Sequence, residues 1–346
     1  MTLPHTQAGA LLILIVGMLC WGSWANSYKL GKWRYELYYF DWIFGAMAAA
    51  VILAFTVGSL GYDGFSFRDD LMIAGRRQWL WAFLAGVIFN LGNMLLVACM
   101  SVAGMAVAFP MAAGIGMIVA AVVGFALAPG QPVLLLAGSA VTAGAVVAAA
   151  LAYQHLVVLG HERTARAGKA KSTRRPGSAK AIILAVVSGL FLGAFRWLVD
   201  LARQGENGLG PYSIAVLFVF GALASTFILN LFLMNLPVEG EPLEILEYFR
   251  GSWLNHLWGF AGGAIWSAGL VALLVVATTP AAAKPGPLAV NILSQVWIVV
   301  AAVWGVAAWK ELQGSDGRGH VLESLTLLLL AGGITLLGLA PLYVRR

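Results

Sequence analysis

The sequence predicts an all-α polytopic membrane protein, with ten transmembrane helices arranged as two inverted five-helix repeats. Three observations carry that fold class. The 346 residues are 61% apolar and 10% charged, with a mean hydropathy of +0.87. Soluble domains are about 45–50% apolar and about 25% charged. The apolar residues gather in ten runs, each long enough to cross a bilayer as a helix. The second five runs also echo the first five. Lipid offers no partner for backbone N–H and C=O groups, so each run must satisfy its own by forming a helix.

In order, the runs cover roughly 8–27, 41–60, 79–101, 104–128, 133–153, 180–201, 211–235, 254–278, 286–309 and 322–343. No Lys or Arg precedes the first, and it ends in Cys20-Trp21-Gly22-Ser23-Trp24 rather than a small-x-small cleavage site. It therefore reads as a retained span, not a signal peptide. The second opens at Asp41, and the third carries Asn90 and Asn93. Pro110, Gly114 and Gly116 loosen the fourth. After the fifth comes a basic stretch with Ser and Gly, expected to be a flexible linker that touches anionic lipid head groups. The sixth ends with Arg196 and Asp200, an i,i+4 pair. His256 begins the eighth, and Lys310-Glu311 closes the ninth. Gly189-x-x-x-Gly193 and Gly259-x-x-x-Gly263 permit close helix approach. The expected organisation is a first five-span repeat over 1–153, a linker over 154–179 and a second repeat over 180–346.

Collinear matches relate the halves. Leu19-x-x-Gly22 answers Leu190-x-x-Gly193, and Gly45-Ala46-x-Ala48 answers Gly221-Ala222-x-Ala224. Gly86 pairs with Gly262. Ile118-Val119-Ala120-Ala121-Val122-x-Gly124 resembles Val299-Val300-Ala301-Ala302-Val303-x-Gly305, and Leu134 to Gly138 matches Leu328 to Gly332. Five is odd, so the second copy enters the membrane from the opposite side. Inverted repeats of this kind suit secondary transporters, with a solute site at the midplane between halves. The side holding the 154–179 loop carries more Lys and Arg, which places both termini outside.

Two carboxamides at membrane depth are costly unless hydrogen-bonded, so Asn90 and Asn93 either tie helices together or line a cavity. The ninth run adds Asn291, Ser294 and Gln295. By the internal alignment Asn90 and Asn93 correspond to Trp266 and Gly269 in the other copy, amides in one half and an aromatic with an open space in the other. That asymmetry favours the cavity. Of 13 tryptophans, many sit at run ends as an interfacial belt, while Trp21, Trp266 and Trp297 lie deeper. The expected solute-binding set is Asn90, Asn93, Asn291, Ser294, Gln295, Trp21, Trp266 and Trp297. Indole faces beside amides suit a small neutral ring solute. A proton-coupled carrier also needs a carboxyl group that changes protonation as access alternates. Asp41 and Asp200 are the candidates, with Glu311 third; a snorkelling interfacial charge is the alternative for each. His256 reads as a titratable or structural residue.

Other classes find little support. The net charge of +6 sits in loops, as membrane orientation requires, and does not indicate nucleic acid. Cys20 and Cys99 each lie in an apolar run, so no disulfide framework is implied. Gly168-Lys169 falls short of a P-loop because Ala170 follows. No catalytic or metal-ligating constellation is evident, so no enzyme activity, cofactor or metal is expected.

Leu19-Cys20-Trp21-Gly22-Ser23-Trp24, Asp41, Leu91-Gly92-Asn93 and the ten-run layout together resemble the drug/metabolite transporter superfamily. The resemblance is nearest the branch holding glucose/ribose-type sugar uptake proteins, rhamnose/proton symporters and ureide permeases. It implies proton-coupled uptake of a sugar or a ureide- or nucleobase-like solute by alternating access. The alternative is export of a metabolite or drug by the same fold, and a non-transporting membrane protein comes after that. The implied partners are a small-molecule solute, a proton or other coupling ion and membrane lipids, with a homodimer as one candidate assembly. The implied location is a bacterial cytoplasmic (inner) membrane.

Overall fold

The computed structural model describes residues 1–166 and 179–343. Ten long helices are present, and no strand occurs among the described residues. They are α1 (Gln7–Ser23), α2 (Tyr35–Phe55), α3 (Arg76–Ala103), α4 (Met105–Leu127) and α5 (Pro132–Arg166), then α6 (Ala179–Arg203), α7 (Pro211–Asn235), α8 (Trp253–Thr278), α9 (Pro287–Val303) and α10 (Gly317–Leu339). All ten lie in segments long and apolar enough to cross a membrane. Their starts follow local chemistry. Thr6, Ser252 and Asp316 cap α1, α8 and α10 by accepting from backbone N–H groups. Proline stands first in α5, α7 and α9, where its missing N–H costs nothing. Pro110 is taken up inside α4.

Two boundaries differ from expectation. Helix α2 begins at Tyr35, so Asp41 lies in its second turn instead of opening it. The cause is Glu36, a first-turn carboxylate clamped by Arg34 through Nη2 to Oε1 at 2.7 Å and Nε to Oε2 at 3.2 Å. That bond holds the Arg34 guanidinium above its ordinary value. Helix α5 runs on to Arg166, so the first part of the expected 154–179 linker is helical. His155 Nε2 meets Asp316 Oδ1 at 2.7 Å there. The rest of that linker, 167–178, lies outside the described residues. Helix α9 ends in a π-helical turn, Trp304–Ala308.

The chain forms two compact units, Met1–Met94 with Ala194–Trp297 and Leu95–Gly193 with Ile298–Arg346. Each draws on both halves of the sequence. In the first, two helix crossings share one design. Where α2 crosses α8, a Cβ on Gly45 would overlap the Phe260 carbonyl and one on Gly263 the Trp42 carbonyl. Where α7 crosses α3, a Cβ on Gly221 would overlap the Phe83 carbonyl and one on Gly86 the Phe218 carbonyl. Small residues let the backbones touch. Pairing glycines by the carbonyl they face matches Gly86 with Gly263, one residue on from the sequence pairing with Gly262. Asn90 and Asn93 then correspond to Ser267 and Leu270, not to Trp266 and Gly269. In the second unit, Gly189 and Gly193 of α6 pack on α4, where a Cβ would lie 2.6 Å from the Ala112 oxygen and 2.7 Å from the Gly116 oxygen.

Candidate functional site

The first unit holds most of the expected site residues. Asn90 is fully buried on α3. Its Oδ1 accepts from Tyr39 Oη of α2 at 2.9 Å. Its Nδ2 donates to Ser225 Oγ and Thr226 Oγ1 of α7, at 2.9 and 3.1 Å. Both ends of the amide are thus engaged by neighbouring helices. Asn90 therefore ties helices together, the structural alternative to a ligand for the solute. Asn93, one turn on, donates through Nδ2 to the same Tyr39 hydroxyl at 2.9 Å. It makes a single such bond where Asn90 makes several.

The expected tryptophans come together. Trp21 stacks on Trp266 with centroids 6.1 Å apart and meets Trp297 edge-on at 5.7 Å. Its Nε1 donates to the Trp266 carbonyl at 3.1 Å. Trp266 also packs on Phe89 at 4.8 Å and on Trp42 at 5.0 Å. Trp42 in turn lies 4.9 Å from Tyr39, the partner of both asparagines. The indole N–H of Trp42 is buried and makes no hydrogen bond among the described residues, and the same holds for Ser267 Oγ. An unpaired buried donor costs about 1–3 kcal/mol. On α9, Asn291, Ser294 and Gln295 are half-buried, and Ser294 Oγ donates to the Asn291 carbonyl at 3.2 Å.

The carboxyl candidates separate clearly. Asp41 is 6% exposed. Its Oδ1 accepts from Tyr248 Oη at 2.6 Å, and its Oδ2 meets His256 Nδ1 at 2.9 Å. Trp33 walls the group, stacked on Tyr248 at 5.9 Å and edge-on to His256 at 5.0 Å. Gly259 leaves room for the Asp41 side chain. Burial first, and the bond to Asp41 second, raise the Tyr248 phenol well above its ordinary range, so it stays a donor. A carboxyl group joined to an imidazole can hold or pass a proton. Asp200, by contrast, has a side chain 62% exposed, 3.9 Å from Arg203 rather than clamped by Arg196. It is not enclosed as a proton carrier would be, because the last turns of α6 point it outward. Glu311 lies in the second unit and accepts from the Ala106 N–H at 2.8 Å.

Sequence reasoning missed Tyr39, Trp42, Ser225, Thr226 and Tyr248, and it left His256 apart from Asp41. The available signal was spacing. Tyr38, Tyr39, Asp41 and Trp42 crowd two helical turns, and His256 follows Tyr248 by eight residues. Glu323, alone among the apolar residues of α10, was also overlooked.

No protein-family model matches the chain, and no solved structure matches it. It is similar to Ureide permease 1 of Arabidopsis thaliana, at 22% identity over 390 residues, 97% of this chain and 98% of that protein. It is likewise similar to Ureide permease 2 of the same plant, at 22% identity over 401 residues with the same coverage. The likeness runs nearly end to end in both. Together with ten apolar helices, it supports an integral membrane protein of the transporter class, not an enzyme.

Proposed function

We propose that this chain is a secondary active transporter that takes up a small, neutral, ureide-like solute coupled to protons. The observation that carries the reading is the cluster of Trp21 with Trp297 and Trp266, the last packed on Trp42, whose indole N–H has no partner among the described residues. A planar ureide has faces that stack on indole and carbonyls that accept from an N–H. Asn93, joined through Tyr39 to the same cluster, would read the amide groups of the solute. Half-buried Asn291, Ser294 and Gln295 of α9 would complete the polar contacts. Asn90 positions Tyr39 and does not touch the solute. Asp41, with His256 and Tyr248, would carry the coupling proton.

The likeness to ureide permeases favours a ureide over a sugar. Alternating access by two inverted repeats, the mechanism of the drug/metabolite transporter superfamily, is supported by the paired glycine–carbonyl crossings. A bacterial cytoplasmic membrane is the setting we assign. The test is a thermal-shift screen of purified protein against allantoin, glucose and uracil. Ligand at about 100 times its Kd stabilises a protein by about 2.7 kcal/mol. Allantoin is expected to raise the melting temperature of the wild type but not of Asn93→Ala. A shift with glucose alone would replace the ureide by a sugar.

A further inference from the structure

Glu323 lies in the second turn of α10 and is 2% exposed. Neither of its carboxyl oxygens has a hydrogen-bond partner among the described residues. Glu311 lies in the same unit. Glu311 is built into place. Its Oε2 accepts from Ala106 N–H at the start of α4, where a negative charge is favoured. Gly104, at φ +80°, and Gly305 leave the space it fills, since a Cβ on either would come within 2.7 Å of its carboxyl group.

The elements packed on α10 are α4, α5 and the turn Ala340–Leu342. Helix α4 and that turn carry no titratable side chain. On α5, Tyr153 precedes His155, whose ring is taken by Asp316, the Arg163 guanidinium lies against Gly314, and His161, Glu162 and Arg166 stand in the last two turns. Arg318 and His320, on α10 itself, are exposed. Among the described residues, then, no cation pairs with Glu323. An ionised carboxylate buried without donors is far costlier than the neutral acid.

We propose that Glu323 holds a proton at neutral pH and is a second protonation centre, separate from Asp41 and His256. One proton enters as hydronium and leaves to water when the surroundings of Glu323 change. Its use in transport rests on the function proposed above, but its presence does not.

Infrared spectroscopy of the purified full-length protein tests its presence. At neutral pH the wild type is expected to show the C=O absorption of a buried protonated carboxyl, and Glu323→Gln to lose it. An unchanged spectrum in Glu323→Gln would overturn the proposal. In proteoliposomes, Glu323→Gln, which mimics the protonated acid, is expected to keep solute exchange and lose proton-driven accumulation. Retention of both would overturn the use of this proton in transport. No exchange by the wild type would instead sink the transporter reading and leave the infrared result standing.

Discussion

Asn90 and Asn93 are neighbours on one helix, yet alanine at each is expected to fail differently. Asn90→Ala removes three interhelical hydrogen bonds, those with Tyr39, Ser225 and Thr226. Such bonds average ~0.6 kcal/mol each in membrane proteins, so the three amount to about 2 kcal/mol. Ser225 and Thr226 keep bonds to the Gly221 and Ala222 carbonyls of their own helix and are not stranded. Tyr39 loses the acceptor for its hydroxyl proton, which adds about 1 kcal/mol. Asn90→Ala should therefore destabilise the protein by about 3 kcal/mol. Asn93→Ala removes one bond, worth ~0.6 kcal/mol, and leaves Tyr39 its acceptor. The assay is thermal unfolding in detergent beside ureide uptake normalised to folded protein. Asn90→Ala should melt early but transport per folded molecule, and Asn93→Ala should melt like the wild type but not transport. Normal uptake by Asn93→Ala, or wild-type stability of Asn90→Ala, would refute the division of roles.

Two further expectations concern packing and pH. Gly263→Ala drives a methyl into the Trp42 carbonyl and should cost about 1–3 kcal/mol, whereas Gly124→Ala meets nothing within 4 Å and should be neutral or slightly stabilising; melting temperatures decide between them. The Gly319 N–H first, and His155 second, hold the Asp316 carboxyl below its ordinary value. A depressed carboxyl contributes stability above its unfolded value and loses it as pH falls through the folded one. Stability should thus drop on acidification below about pH 4, and Asp316→Asn should flatten that part of a melting-temperature profile.

The ten helices were legible because apolar runs and their breaks state them directly. Gly189, Gly193, Gly259 and Gly263 marked close crossings correctly. The site was legible in part. Trp21, Trp266 and Trp297 could be singled out by depth alone, and they meet. Asp41 could be singled out as an acid near a helix start, but not its partners. Tyr248 and His256 lie more than two hundred residues away, and only the fold brings them to it. The partners of Asn90 were hidden for the same reason. An amide at depth looks alike whether it faces solute or a tyrosine, and Ser225 and Thr226 carry no signal beyond polarity. The exposure of Asp200 was not legible because helix phase at the end of α6 decides whether it faces in or out.

Accumulation in proteoliposomes tests the central claim most directly. Purified protein is reconstituted, an inwardly directed proton gradient is imposed, and labelled allantoin is followed with time. The wild type should concentrate the ureide above its external level and lose that ability when the gradient is collapsed. Asp41→Asn should bring it only to equilibrium. Wild-type uptake that never exceeds equilibrium, or that ignores the gradient, would contradict proton-coupled transport through Asp41.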